Sequence, residues 1–302
     1  MSTNKIHNAL QLQWSGLGKL LSFAGRIVFP KMKVLSSGII LLILISFQVR
    51  LHSQDTYTST RTGRWDTGGT WTGAIGTPDG NDTVIIQNGH TVNVQFFSAE
   101  SAFTIYIQSG GVLDMGIGSL SVGGKFIVDG NLTSSAFFSG NVSFSGDTLG
   151  GEGNIALNFA GSLFDMSANA VVLPTANLQI FGNVNIQNGV TVTNQGHLAV
   201  YGDLNGANAT GSVWTNSDNS VLEIDGIFMS TGVVNASATG NTVSYIQSGN
   251  QIVKTPSSST YHNLIISGSN TKTITGDLIV NGDLLIENGT LDSDGYDIEI
   301  VG

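Results

Sequence analysis

From Thr83 onward, apolar and polar positions alternate with a period of two in short runs. Val84 and Ile86 lead into Asn88-Gly89, and Val92 and Val94 follow it. Phe103, Ile105 and Ile107 precede Ser109-Gly110, and Phe126 and Val128 precede Asp129-Gly130. The same alternation returns at Leu178, Ile180, Val184, Ile186, Val190 and Val192, and again at Leu278, Val280, Leu284 and Ile286. A period of two puts the apolar side chains on one face of an extended strand. No window after residue 55 keeps the i, i+3, i+4, i+7 spacing of a helix, so the pattern predicts an all-β body.

Two architectures accommodate such strands: a sandwich or barrel of hairpins, and a solenoid. Hairpin folds space their turns every ~8–12 residues, whereas here turn signals come closer together and the segments resemble one another. Gly182-Asn-Val-Asn-Ile-Gln-Asn-Gly189, Gly276-Asp-Leu-Ile-Val-Asn-Gly282 and Gly282-Asp-Leu-Leu-Ile-Glu-Asn-Gly289 share one layout: small polar corner, branched strand, small polar corner. Coils of a β-helix need that layout, because tight corners favour glycine or asparagine at positive φ and strands stack on equivalent positions of the next coil. The repetition favours a right-handed parallel β-helix. At ~20–25 residues per coil and ~4.8 Å per rung, it would be a rod of roughly ten rungs.

Charge separates the body from what precedes it. Of 302 residues, 40% are hydrophobic and 11% charged, which leaves material for a large core and argues against wholesale disorder. The lack of cysteine excludes disulfides and thiolate metal sites. Six of the eleven Lys and Arg residues (Lys5, Lys19, Arg26, Lys31, Lys33 and Arg50) lie before Asp55 with no acid among them. The remainder sets five basic residues against 21 acidic ones, a formal net charge of −16. Such a surface repels nucleic acid.

Lys31-Met32-Lys33 followed by the apolar run Val34 to Phe47 reads as the basic and hydrophobic regions of a signal peptide. The run is too short to cross a ~30 Å hydrocarbon core comfortably, and Ser53-Gln54 is the cleavage point expected. The long segment before Lys31 suggests that translation begins at Met32. An uncleaved membrane anchor is the alternative. Either way the body is expected to be secreted or at the cell surface, with no membrane span of its own.

Two stretches carry a family resemblance. Trp65-Asp-Thr-Gly-Gly-Thr-Trp71, then Pro78-Asp-Gly-Asn-Asp82 and Asn88-Gly-His-Thr-Val-Asn-Val94, resemble the start of secreted β-helical repeat proteins of Bacteroidetes-type bacteria. More distantly, they are similar to the eight-glycine extracellular domain. Asn241-Thr-Val-Ser-Tyr245, Tyr261-His-Asn-Leu-Ile-Ile266, Lys272-Thr-Ile-Thr-Gly276 and Gly289-Thr-Leu-Asp292 are similar to repeats in large surface proteins of the same bacteria, many exported by a type IX secretion system. The resemblance implies an N-terminal cap closed by the two tryptophans. Three regions are therefore expected: a leader over 1–54, a cap and first coil over 55–95, and β-helix repeats over 96–302. The repeats stop in mid-pattern at Ile300-Val301-Gly302, as a truncated array would.

Candidate chemistry is sparse. Glu223 and Asp225 share a strand face and could form a glycosidase-type acid/base pair, although a solvated strand face is the plainer reading. Asp292-Ser-Asp294-Gly295-Tyr-Asp297 gathers carboxylates around a glycine turn as a calcium loop does, and Asp79-Gly-Asn-Asp82 is a shorter version. Polar turns are the plainer reading of both. Calcium is the one cofactor these residues suggest. Trp214, Tyr201, Tyr245 and Tyr261 are candidates for stacking on sugar rings. Arg61, Arg64, Lys125, Lys254 and Lys272 are too scattered to predict the basic groove of a polysaccharide lyase. His90, His197 and His262 lack metal-ligand spacing. The sequence thus points to an exported, non-enzymatic surface protein, structural or adhesin-like, with extracellular glycans or cell-surface proteins as partners. A carbohydrate-binding or carbohydrate-cleaving β-helix is the alternative.

Overall fold

Short strands, mostly of three or four residues and many ended by a glycine or asparagine corner, recur throughout the computed structural model, which describes residues 54–134, 140–157 and 161–302. The leader expected over 1–54 lies, apart from Gln54, outside the described residues. One coil shows the plan. Thr104–Ile107 lies in sheet A, Val112–Asp114 in sheet B and Ser119–Val122 in sheet C, and Lys125–Val128 returns to sheet A one rung on. Among the described residues sheet A has ten strands, sheet B eleven and sheet C six. Together they make a β-solenoid of about ten turns, as the repetition predicts. Ile105 pairs with Phe126 and Phe126 with Leu149, so successive coils advance by 21 and 23 residues.

Every named pairing is parallel except one. Trp71–Thr72 runs antiparallel to Thr56–Ser59 at the edge of sheet A. Trp65 and Trp71 are buried there, edge to face with ring centres 5.5 Å apart, and Trp71 Nε1 donates to the Trp65 carbonyl at 2.8 Å.

The inward positions stack into continuous rows. Phe126, Phe144 and Phe164 form a cluster with ring centres 6.0 to 6.4 Å apart. Two or three such side chains from each coil are wholly buried, and each fully buried large apolar group contributes about 1.5–3 kcal/mol. One inward row changes character: Val172 pairs with Asn194, and Asn194 with Asn216. Both asparagines are buried, and Asn194 Nδ2 donates to Asn216 Oδ1 at 3.3 Å and to the Val221 carbonyl at 2.9 Å. This ladder satisfies the Asn194 amide and the Asn216 oxygen, which would otherwise be costly inside a core, and leaves Asn216 Nδ2 without a partner among the described residues.

The cross-section changes late in the chain. Sheet C ends at Leu204–Gly206 and is continued by a single bridge from Leu204 to Phe228. Sheet E then starts at Gln251–Val253, and sheet D at Thr260–Tyr261, joined to sheet A's last coil through the Ala236–Tyr261 bridge. Met229 and Gly232 take positive φ at 46° and 119°, which turns the chain where a strand would have continued.

Candidate functional site

Glu223 sits on the outer face of Val221–Ile224 in sheet B, as its parity predicts. Its Oε1 lies 3.4 Å from Nε2 of His197, one rung back. Both side chains are about a third exposed, so solvent screens the pair and its stabilisation is small. Asp225 follows the same strand, and its backbone N–H donates to Val200 at 2.9 Å. Its charge bears on Lys272.

Three of the four predicted stacking aromatics turn inward, and this corrects the sugar-stacking assignment of Trp214, Tyr245 and Tyr261. All three are fully buried. Trp214 pairs in register with Val192 and Val234, so it occupies a core row, and its Nε1 donates to Asn216 Oδ1 at 2.9 Å. Tyr245 lies between Ile224 and Ile266 in register. Its hydroxyl contacts that of Tyr261 at 2.9 Å and accepts the Lys254 N–H at 2.8 Å, while the Tyr261 hydroxyl donates to the Lys254 carbonyl. Burial pushes both phenols well above the ordinary tyrosine pKa. Tyr201 alone of the four faces solvent, at 37% exposure.

Several carboxylate oxygens of the acidic turns accept from backbone. Asp82 Oδ1 accepts from the Asp55 N–H at 3.0 Å and Oδ2 from the Asp79 N–H at 2.8 Å. Asp79 Oδ1 accepts from the Asn81 N–H at 2.9 Å, and Asp292 Oδ1 from the Asp294 N–H at 3.0 Å. The Asp297 N–H donates to Asp277. Among the described residues, no group of three or more His, Cys, Asp or Glu side chains could hold a metal ion.

Lys272, which the sequence leaves as one scattered cation, is inside. It is fully buried on an inward position of Thr271–Ile274, and its ammonium donates to the carbonyls of Gln247, Gly249 and Ser269 at 2.7 to 2.8 Å. Burial pushes its pKa down, and the charge of Asp225 partly offsets this. Three charge-assisted bonds tie the carbonyls of two successive corners to one point.

Among the described residues twelve large apolar side chains are exposed, and four of them, Phe96, Phe97, Tyr201 and Ile227, lie at one corner, between sheets B and C. Phe96 and Phe97 are 72% and 87% exposed in the turn after Thr91–Asn93, and Phe97 is held at φ 61°. A bulky side chain is rarely found there, and such a backbone is a strained one. Ile117 is half-buried at the same corner one coil on. Phe181 and Tyr201, at that corner of later coils, stack with ring centres 4.6 Å apart and planes within 8°. Ile227 follows at 50% exposure. The signal for Phe181 and Tyr201 is present in the sequence: each stands one residue past an inward Ile180 or Val200, and so points outward.

A cleft of about 520 Å³ crosses several coils near the start of the sheet A strands, lined by Phe103, Tyr106, Lys125, Asp147 and Asn169 over a floor of Gly123, Gly124 and Gly146. Glycine is required at two of these three positions: a Cβ on Gly146 would come within 1.7 Å of the Gly124 carbonyl oxygen, and one on Gly124 within 2.8 Å of the Phe103 ring. Among the described residues, no helix is long and apolar enough to cross a membrane. Compared with known proteins, the chain matches no family model, no curated protein and no solved structure.

Proposed function

We propose that the chain is an exported, non-enzymatic structural or adhesin-like protein whose β-solenoid displays an apolar seam to extracellular glycans or cell-surface proteins. The observation that carries this reading is the contrast between the two faces of the coils. Inward positions are devoted to stacking, while Phe96, Phe97, Tyr201 and Ile227 stand in solvent at one corner. Exposed aromatics cost solubility unless they meet a partner, and aromatic faces suit both sugar rings and protein surfaces. Export rests on the basic and apolar run from Lys31 to Phe47. The test is binding of the purified protein to a glycan array and to cell surfaces, with Phe181→Ser/Tyr201→Ser and Phe96→Ser/Phe97→Ser beside it. Retention on at least one surface should fall about tenfold in one of the two variants, since each removes about 1.4 kcal/mol or more of contact. Binding that neither variant weakens would remove the seam from the mechanism.

A second reading, a carbohydrate-binding or carbohydrate-cleaving surface, is favoured by the cleft over the glycine floor. Phe103 offers a ring 43% exposed, and Lys125 and Asp147 add a cation and an acid beside it. Incubation with neutral and uronate polysaccharides, read by chromatography of the products, separates binding from cleavage. Cleavage or retention that disappears in Lys125→Ala would establish this reading; neither occurring would discard it.

A further inference from the structure

The place where sheet C gives way to sheet E leaves a cavity of about 510 Å³. One wall is the turn Gly226, Ile227, Phe228 and Ser230, which makes a single bridge to sheet C instead of a strand. The opposite wall is Gln251–Val253, the first strand of sheet E, with Lys254 after it. Two features set this cavity apart from the polar surface around it. Ile227 and Ile252 flank it at 50% and 56% exposure, although both occupy outward positions. Lys254 brings a cation to the same space, and it makes no ion pair among the described residues.

We infer that this cavity binds a small organic anion, an apolar body carrying one carboxylate, with Ile227, Phe228 and Ile252 around the body and the Lys254 ammonium on the carboxylate. The walls are built to hold their shape. Gln251 is 6% exposed, and its Nε2 donates to the carbonyls of Ile224 at 3.1 Å and Gly226 at 2.6 Å, tying one wall to the other. Lys254 is anchored at its backbone by the buried tyrosines, Tyr245 accepting its N–H and Tyr261 donating to its carbonyl. Phe228 is buried and packs edge to face on Tyr245 with ring centres 6.3 Å apart. Asp203 adjoins the first wall, where its Oδ1 accepts the Ile227 N–H at 2.8 Å. Burial pushes the Lys254 pKa down, as it does for an ammonium that has lost water without gaining a counter-ion. An anionic ligand would supply that counter-ion, and apolar walls raise the strength of the pairing by excluding water. A neutral ligand would leave the ammonium as it is, and an inorganic anion would leave the two isoleucines unused.

The experiment compares 2-naphthoate with 2-naphthamide, equal in shape and different in charge, by isothermal titration against the purified protein. The expected result is saturable one-to-one binding of the naphthoate, with the amide about tenfold or more weaker. Lys254→Met should abolish the difference between the two. Ile252→Asp, an exposed position that places a like charge at the rim, should weaken the naphthoate by at least as much, while Arg61→Met, an exposed cation near the N-terminal end of the coils, leaves it unchanged. Circular dichroism confirms that each variant keeps its fold. Failure of naphthoate to bind saturably, or a preference over the amide that survives Lys254→Met, overturns the assignment. Neither outcome bears on the contact seam, which Phe181→Ser/Tyr201→Ser tests separately.

Discussion

The paired hydroxyls of Tyr245 and Tyr261 show how single side chains are committed in this interior. Each phenol is a large apolar group with one polar atom, and burial is tolerable because the two oxygens meet each other and the Lys254 backbone. Their pKa values are raised in the folded chain, so the folded state holds these protons more tightly than the unfolded one does. The stability they contribute is therefore complete below the unfolded tyrosine value of about 10 and is lost as pH rises above it. The urea midpoint should fall between about pH 9 and pH 11, and the fall should be shallower in Tyr245→Phe/Tyr261→Phe. A wild-type midpoint flat over that range would contradict the assignment. The sequence offered both tyrosines as candidates for stacking on sugar rings. Only the register, Ile224 to Tyr245 to Ile266, shows that Tyr245 belongs to an inward row.

Strands and corners have a different logic. No strand here is long enough to be stable alone; each holds because strands a coil away pair with it, on both sides except at the sheet edges, and the corners decide how closely coils approach. Gly146 is the clearest case, since a methyl there would overlap the Gly124 carbonyl of the preceding coil. Gly146→Ala should cost about 3 kcal/mol in urea unfolding, because two coils must separate locally to admit it. Gly80→Ala is the comparison: its methyl would meet only the Ser101 hydroxyl at 3.2 Å, and the change should stay within about 0.5 kcal/mol. Equal costs at the two sites would mean that close approach of the coils is not what Gly146 provides. Corner glycines were visible in the sequence as turn signals. Their second role was not, because the atom that forbids a side chain lies about twenty residues away.

At the scale of the whole molecule, charge is the dominant long-range term. From Asp55 on the chain carries a formal −16, and Lys272 is buried while Arg64 is paired with Asp66 at 3.0 Å. Repulsion among the remaining acids opposes compaction. Raising ionic strength from about 0.01 to 0.15 M shortens the screening length from about 30 to 8 Å, and Tm should rise by about 2–4 °C. A Tm that is unchanged or lower in salt would show that local pairs outweigh the net field. The solenoid also joins one coil to the next through nearest-neighbour contacts. The interrupted coil between sheets C and E is therefore both a cavity and the place where one cross-section hands over to another.

The alternation of apolar and polar positions, the corner residues and the likeness between units determined by themselves that this body is all-β and built from stacked parallel coils. Those signals are local, and period-two parity needs no partner to be read. Parity also carried the outward placement of Glu223 and the outward turn of Phe181 and Tyr201. What only the tertiary structure decided is which residues from different coils share a row or a corner. Coil length varies between neighbours, so a shift of one residue exchanges inside for outside. That is why Trp214, Tyr245 and Tyr261 went from surface to core, why Lys272 became an internal tie, and why the cavity beside Lys254 left no motif in the chain.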